Sequence, residues 1–156
     1  MSNNSIKPRL NRGKPNSRLF AISLLDGRNW DKVEIVSRYF SEFALIRYRV
    51  LVEIKYLIFL SLKTKIIRKL TDKEIQDLNA IIDGFDETDA ARIKETEKKI
   101  NHDVKAVEYF LKEKLSKTSL KDSIEWLHFA ITSEDTNNIA YALILSDALQ
   151  NIIIPK

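Results

Sequence analysis

Only three glycines and three prolines interrupt 156 residues, and this scarcity of chain-breaking positions limits the possible folds more than any other feature. Between the polar breaks, apolar residues recur three and four positions apart, the spacing of a helix face. The chain reads as all-α. Its length is that of one domain, enough to bury about 70% of the unfolded surface without staples.

The spacing predicts a first long helix from about Ser41 to Leu62. Its apolar residues, from Phe43 and Leu45 through Val50, Ile54 and Leu57 to Leu60, cover more than one stripe, so it should be packed on several sides. Thr71-Asp72-Lys73-Glu74 fits a capping box, and a helix to Asp83 should follow, with Gly84 near its end. Asp86-Glu87-Thr88-Asp89 begins an acidic first turn leading to about Lys98. Asn101 is expected to cap the next helix, with Val104, Val107, Tyr109, Phe110 and Leu111 packing inward. Asp122 or Ser123 should start a short helix to His128, and Thr132-Ser133 should precede a last helix to about Ile153.

The formal net charge is +4, but it is unevenly placed. Residues 1–18 hold Lys7, Arg9, Arg12, Lys14 and Arg18 and no acid, which reads as a basic, solvated tail. The remaining 21 basic and 22 acidic residues leave residues 19–156 at −1. That near-neutral body lacks the one-sided charge of a nucleic-acid-binding face. The absence of cysteine excludes disulfides and thiolate metal sites and suits a cytoplasmic protein, and two histidines alone make a poor zinc site. The most apolar run, Val50 to Leu62, is broken by Glu53 and Lys55 and falls short of the roughly 20 residues needed to cross a membrane.

Two polar runs use both histidines. Asn101-His102-Asp103 opens an amphipathic stretch, where free backbone amides and an imidazole could bind an anion. Thr132-Ser133-Glu134-Asp135 lies four residues past His128, and its hydroxyls and amides could grip a carboxylate. Each run can equally be an ordinary helix cap with acids suited to the dipole, and His128 can equally be a core histidine. Asp26-Gly27-Arg28-Asn29 reads as a turn presenting an arginine. Arg47 and Arg49, inside an apolar helix, read as serving packing or interfacial ion pairs.

Taken in order, these segments resemble a known family. Ala21-Ile22-Ser23 with Asp26-Gly27-Arg28, Phe40-Ser41-Glu42, Arg49-Val50 with Glu53, the run Asn101 to Leu111, and His128-Phe129-Ala130 with Thr132-Ser133-Glu134-Asp135 and Asn137-Asn138 are similar to the N-terminal part of bacterial-type adenylosuccinate lyases. The likeness spans about residues 19–155. It implies the helical N-terminal domain of the fumarase/aspartase superfamily, whose members are homotetramers with sites assembled from three subunits. It also implies an enzyme that removes fumarate from adenylosuccinate and from the succinylated carboxamide intermediate of purine synthesis (SAICAR), with no cofactor.

By that resemblance, Arg28 and Asn29 contact the substrate phosphate region, Asn101, His102 and Asp103 line the nucleotide and succinyl site, Thr132 and Ser133 hold a carboxylate of the departing fumarate, and His128 supports the pocket. Asn29 stands where the family usually has tyrosine. Family members are about three times longer, and their central helical and C-terminal domains carry the general-acid histidine and the mobile-loop serine base. Neither has a counterpart here, so the chain alone is expected to be inactive. The alternative is a non-catalytic helical module, binding a partner through the Val50–Leu62 helix or nucleic acid through the tail, or a truncated gene product.

Overall fold

A computed structural model describes residues 21–155, and the basic stretch over 1–18 lies outside the described residues. The chain divides between Ile35 and Val36 into two units. In the first, residues 23–29 form the expected turn. The Asp26 carboxylate accepts the Ser23 amide at 3.0 Å and the Ser23 hydroxyl, and the Gly27 N–H donates to the Ser23 carbonyl at 3.1 Å. A single helical turn, α1 (Trp30–Val33), follows.

The second unit is built from helices, and no strand occurs among the described residues. After α2 (Ser37–Phe40) come α3 (Glu42–Lys63), α4 (Asp72–Asp83), α5 (Glu87–Ile100) and α6 (Asp103–Leu115). A 3₁₀ segment, Ser119–Trp126, leads to α7 (Ser133–Ala148), which runs on as a π-helical Leu149–Ile153. The helix starts follow side-chain chemistry. Ser41 Oγ accepts the Ala44 amide, Thr71 and Glu74 complete the reciprocal capping box, and Asp86 accepts the Asp89 amide. Each cap satisfies an amide that has no partner inside its helix.

Helix α3 is the centre of the unit. Ile46, Val50, Ile54 and Leu57 form one core with Leu78 and Ile82 of α4, Ile93 of α5, and Val107 and Leu111 of α6. A second face, Tyr48 and Val52, packs on Ala140 and Ile144 of α7. This two-sided burial explains why the α3 sequence is apolar around most of its circumference. Truncating the fully buried Leu57 to alanine should cost about 2–5 kcal/mol.

The link between α3 and α4 is held by polar contacts. Ser61 Oγ, fully buried, accepts the Leu70 amide at 2.7 Å. Arg68 spans Glu74 in a bidentate pair at 2.7 and 2.9 Å and also reaches Asp122 at 2.7 Å. The start of α4 is thereby tied to the 3₁₀ segment.

Three expectations are corrected. Asn101 does not cap α6; it closes α5 in the left-handed conformation at φ 55°, and His102 is the N-cap. Asparagine suits both tasks, because its short polar side chain tolerates positive φ as well as capping geometry. Tyr109 points outward, with Lys105 Nζ 5.4 Å from its ring centroid, since the inward face of α6 is already filled by Val107, Phe110 and Leu111. The short helix before His128 is a 3₁₀ segment beginning at Ser119 and ending at Trp126, so His128 lies beyond it.

Candidate functional site

The two polar runs come together through α3. Arg49 and Glu53 sit one helical turn apart, on one face and both buried. Arg49 Nη2 donates to Asp103 Oδ2 at 2.6 Å, and its Nε donates to Asn137 Oδ1 at 2.9 Å. Glu53 Oε1 lies 2.7 Å from His128 Nδ1 and accepts the Thr136 hydroxyl at 2.9 Å. The start of α6, the start of α7 and the loop carrying His128 are therefore gathered on two adjacent side chains of one helix.

Each run is shaped by backbone that L-residues seldom adopt. Asn101, His128 and Ala130 have φ of 55°, 59° and 57°. Such residues cost on the order of 1–3 kcal/mol each and persist only where their surroundings hold them. Here Leu127 is buried in the main core, His128 is held by Glu53, and Tyr56 donates its hydroxyl to the Phe129 carbonyl at 3.0 Å.

His102 is half exposed and caps α6 with its ring, Nδ1 accepting the Lys105 amide at 3.2 Å. Beside it, Asp103 Oδ1 accepts the Val104 amide at 2.8 Å. Burial works against ionisation of Asp103, but the Val104 amide and the Arg49 guanidinium outweigh it and hold the carboxyl below the usual carboxylate range. Asp103 is thus a fixed negative charge next to an imidazole.

Thr132 caps α7 in a second reciprocal box. Its hydroxyl donates to Asp135 Oδ2 at 2.8 Å and its amide donates to the same oxygen at 2.7 Å. These bonds hold the Asp135 carboxyl below its ordinary value. Ser133, half-buried, is the first residue of α7. A ligand carboxylate binding at Thr132 would compete with Asp135 for the same donors.

Of the residues expected from sequence, Asp103 and His128 are joined through α3, and His102, Thr132 and Ser133 lie on the segments so joined. Asn101 shapes the backbone before His102 and is itself exposed. Arg28 is exposed in the turn of the first unit, and Asn29 precedes α1 without a side-chain cap bond. Arg49, expected from sequence to serve packing or an interfacial ion pair, does pair with a carboxylate, as the clamp between α6 and α7. Glu53 stands out in the sequence as a break in the apolar run and, with Asn137, within the resemblance, whereas Thr136 does not stand out there at all. The available signal was a charged pair at i and i+4 inside an otherwise apolar helix, since buried charges are rare unless paired.

Among the described residues no cluster of three or more histidine, aspartate or glutamate side chains is arranged to hold a metal ion. No helix among them is long and apolar enough to cross a membrane.

The lyase family profile matches residues 32–156. The chain is 49% identical to the adenylosuccinate lyase of Haemophilus influenzae over 145 residues, which is 90% of this chain and 31% of that relative. It is 46% identical to the adenylosuccinate lyase of Dictyostelium discoideum over 147 residues, 90% of this chain and 31% of the relative. Against that of Escherichia coli K12 it is 45% identical over 142 residues, 89% and 31% respectively. The chain thus spans about a third of the length of the curated relatives it matches.

Proposed function

This chain belongs to the lyase family of the helical fumarase/aspartase superfamily, and on that premise we propose that it is the N-terminal, substrate-binding part of an adenylosuccinate lyase. The whole protein would cleave adenylosuccinate to AMP and fumarate, and would perform the same elimination on SAICAR. A base takes a proton from the succinyl carbon, the carbon–nitrogen bond breaks, and a general acid protonates the departing purine nitrogen. In this reading the serine base and histidine acid belong to the rest of the protein. Residues 19–156 would contribute the helical N-terminal part of a cytoplasmic homotetramer, preceded by the basic residues 1–18.

The roles follow the chemistry of a dianionic succinyl group and a phosphate, both of which need preorganised donors. Arg28 and Asn29 meet the phosphate region. Asn101, His102 and Asp103 line the nucleotide and succinyl site, Thr132 and Ser133 hold a carboxylate of fumarate, and His128 supports the same wall. No cofactor is called for. The observation that carries the reading is identity of 45–49% to proteins named adenylosuccinate lyase over about nine-tenths of the chain. The gathering of both histidine segments on Arg49 and Glu53 supports it.

The test is a chimera in which this chain replaces the matching segment of the Escherichia coli relative, assayed by the absorbance change of adenylosuccinate. Turnover within about tenfold of the parent, a barrier change of about 1.4 kcal/mol, is expected. A folded chimera with no lyase activity overturns the proposal. The 156 residues by themselves should bind AMP and not turn over adenylosuccinate.

A further inference from the structure

We infer that the two histidines of this chain are locked in opposite tautomers, His102 carrying its proton on Nε2 and His128 on Nδ1, so that one presents a donor and the other an acceptor to a ligand. The inference rests on the reading above only in taking both as residues of one site; the tautomers follow from the hydrogen bonds themselves. A backbone amide can only donate. Because the Lys105 N–H points at His102 Nδ1 at 3.2 Å, that nitrogen must offer its lone pair, and in the neutral ring the proton sits on Nε2. A carboxylate can only accept. Glu53 Oε1 takes the Thr136 hydroxyl at 2.9 Å and lies 2.7 Å from His128 Nδ1, so that nitrogen must carry the proton and Nε2 keeps the lone pair.

The surroundings make both assignments hard to reverse. Turning the His102 ring would strip α6 of its cap. At His128, Glu53 is 1% exposed and its other oxygen, Oε2, is buried with no hydrogen-bond partner among the described residues. An unrelieved carboxylate of this kind holds an adjacent N–H strongly, because the local dielectric is low. The left-handed backbone of His128 at φ 59° fixes where its ring departs from the loop. Glu53 is therefore a positioning residue that acts through His128, in the manner of a carboxylate that sets the ring nitrogen of a ligating or catalytic histidine.

The consequence is a division of labour. His102 Nε2–H suits an anionic oxygen, a phosphate or carboxylate. His128 Nε2 suits a hydroxyl or N–H of the nucleotide and would repel an unprotonated anionic oxygen. With two histidines in the chain, the assignment can be read directly. Long-range nitrogen–proton correlation on the ¹⁵N-labelled chain, at the alkaline plateau where the imidazole signals stop moving, should give one ring of each tautomer, and His102→Asn should remove the Nε2–H ring. Two rings of the same tautomer, or the Nε2–H form at His128, overturn the inference.

Glu53→Gln tests the positioning role. It should mix the His128 tautomers while leaving His102 unchanged, with the amide spectrum reporting that the fold survives; an unaltered His128 ring would show that Glu53 does not set its tautomer. AMP should then move both Nε2 signals. If AMP moves neither, the proposed nucleotide site falls while the tautomer result, measured without ligand, stands.

Discussion

Arg49 and Asp103, 54 positions apart in sequence, meet at 2.6 Å with the arginine almost wholly buried and the aspartate side chain 43% exposed. The arginine has exchanged water for one charged and one amide acceptor. Removing it strands little on the aspartate side, which water can reach, but it leaves Asn137 and a cavity on α3. Arg49→Met should therefore cost about 2–3 kcal/mol, below the 3–5 expected when a fully buried pair is broken, and Asp103→Asn about 1 kcal/mol. Arg49→Lys should behave more like the methionine variant than like the parent, because an ammonium cannot serve both acceptors with the guanidinium fork. Urea unfolding measures all three. Parent-like midpoints would place the pair with exposed ion pairs of negligible worth.

Acid should loosen the start of α4 first. The Arg68 guanidinium, with the Thr71 amide, holds the Glu74 carboxyl at about 2 against an ordinary 4.5, while burial works in the opposite sense. Because the folded value lies below the unfolded one, this contribution is fully present above about 4.5 and fades as the pH falls towards about 2. Glu74→Gln keeps the capping-box geometry and loses the ionic contact. Its stability deficit should be largest near neutrality and shrink through that window, as followed by thermal melts at a series of pH values. A deficit that stays constant would mean that the cap, and not the charge, is what matters.

How far such details can be read from sequence depends on whether the deciding partner is local. Thr71 and Glu74 are three residues apart, so their capping box was legible, as were the starts of α3 and α5 at Ser41 and Asp86. The all-round apolar pattern of α3 likewise announced burial on two sides. Asn101 was misread because the choice between ending α5 and starting α6 is made by one backbone dihedral, and asparagine is acceptable to both. An ion pair at Arg49 was legible but its partners were not, because Asp103 and Asn137 lie 54 and 88 positions away, and no spacing rule reaches that far. The Asn101-His102-Asp103 and Thr132-Ser133 runs were visible as polar starts, whereas their convergence on Arg49 and Glu53 exists only once α3 is packed.

The loop between Trp126 and α7 should tolerate relief of its strain. Ala130 holds φ 57°, which costs an L-residue about 1–2 kcal/mol. Glycine adopts this conformation freely but loses about 0.4–1 kcal/mol through its more flexible unfolded chain. Ala130→Gly should accordingly match or exceed the parent by up to about 1 kcal/mol. A clear loss in denaturant midpoint would show that the Ala130 methyl group makes a contact worth more than the strain.

Helix α7 and its π-helical continuation carry an apolar stripe on their outer side. Tyr141, Leu145 and Leu149 recur every four residues and are each more than a third exposed, and Tyr141 and Leu145 line an open groove with Phe40 and Leu45. Ile153 and Ile154 extend the exposed apolar surface. Contiguous surface of this kind is uncommon on stable monomers, so the isolated chain should associate with itself as concentration rises. Leu145→Glu should suppress the effect. Light scattering across a dilution series decides it, and a monomer at every concentration would contradict the expectation.

His102 offers the sharpest separation of structure from function. An alanine there would remove both the imidazole and the cap of α6, confounding stability with activity. Asparagine does not, because it is among the best N-caps and can accept the Lys105 amide in place of His102 Nδ1. In the chimera with the Escherichia coli relative, His102→Asn should melt within about 2–4 °C of the unsubstituted chimera, the shift expected for about 1 kcal/mol in a domain of this size. Its lyase activity should fall about 100-fold or more, the scale of losing one preorganised donor to developing or substrate charge. His102→Ala should lose a similar factor in activity and, in addition, about 1 kcal/mol of stability. If the asparagine variant keeps both its melting temperature and its activity, the ring serves α6 as a cap and nothing more, and the nucleotide wall has to be sought elsewhere on α6 and α7.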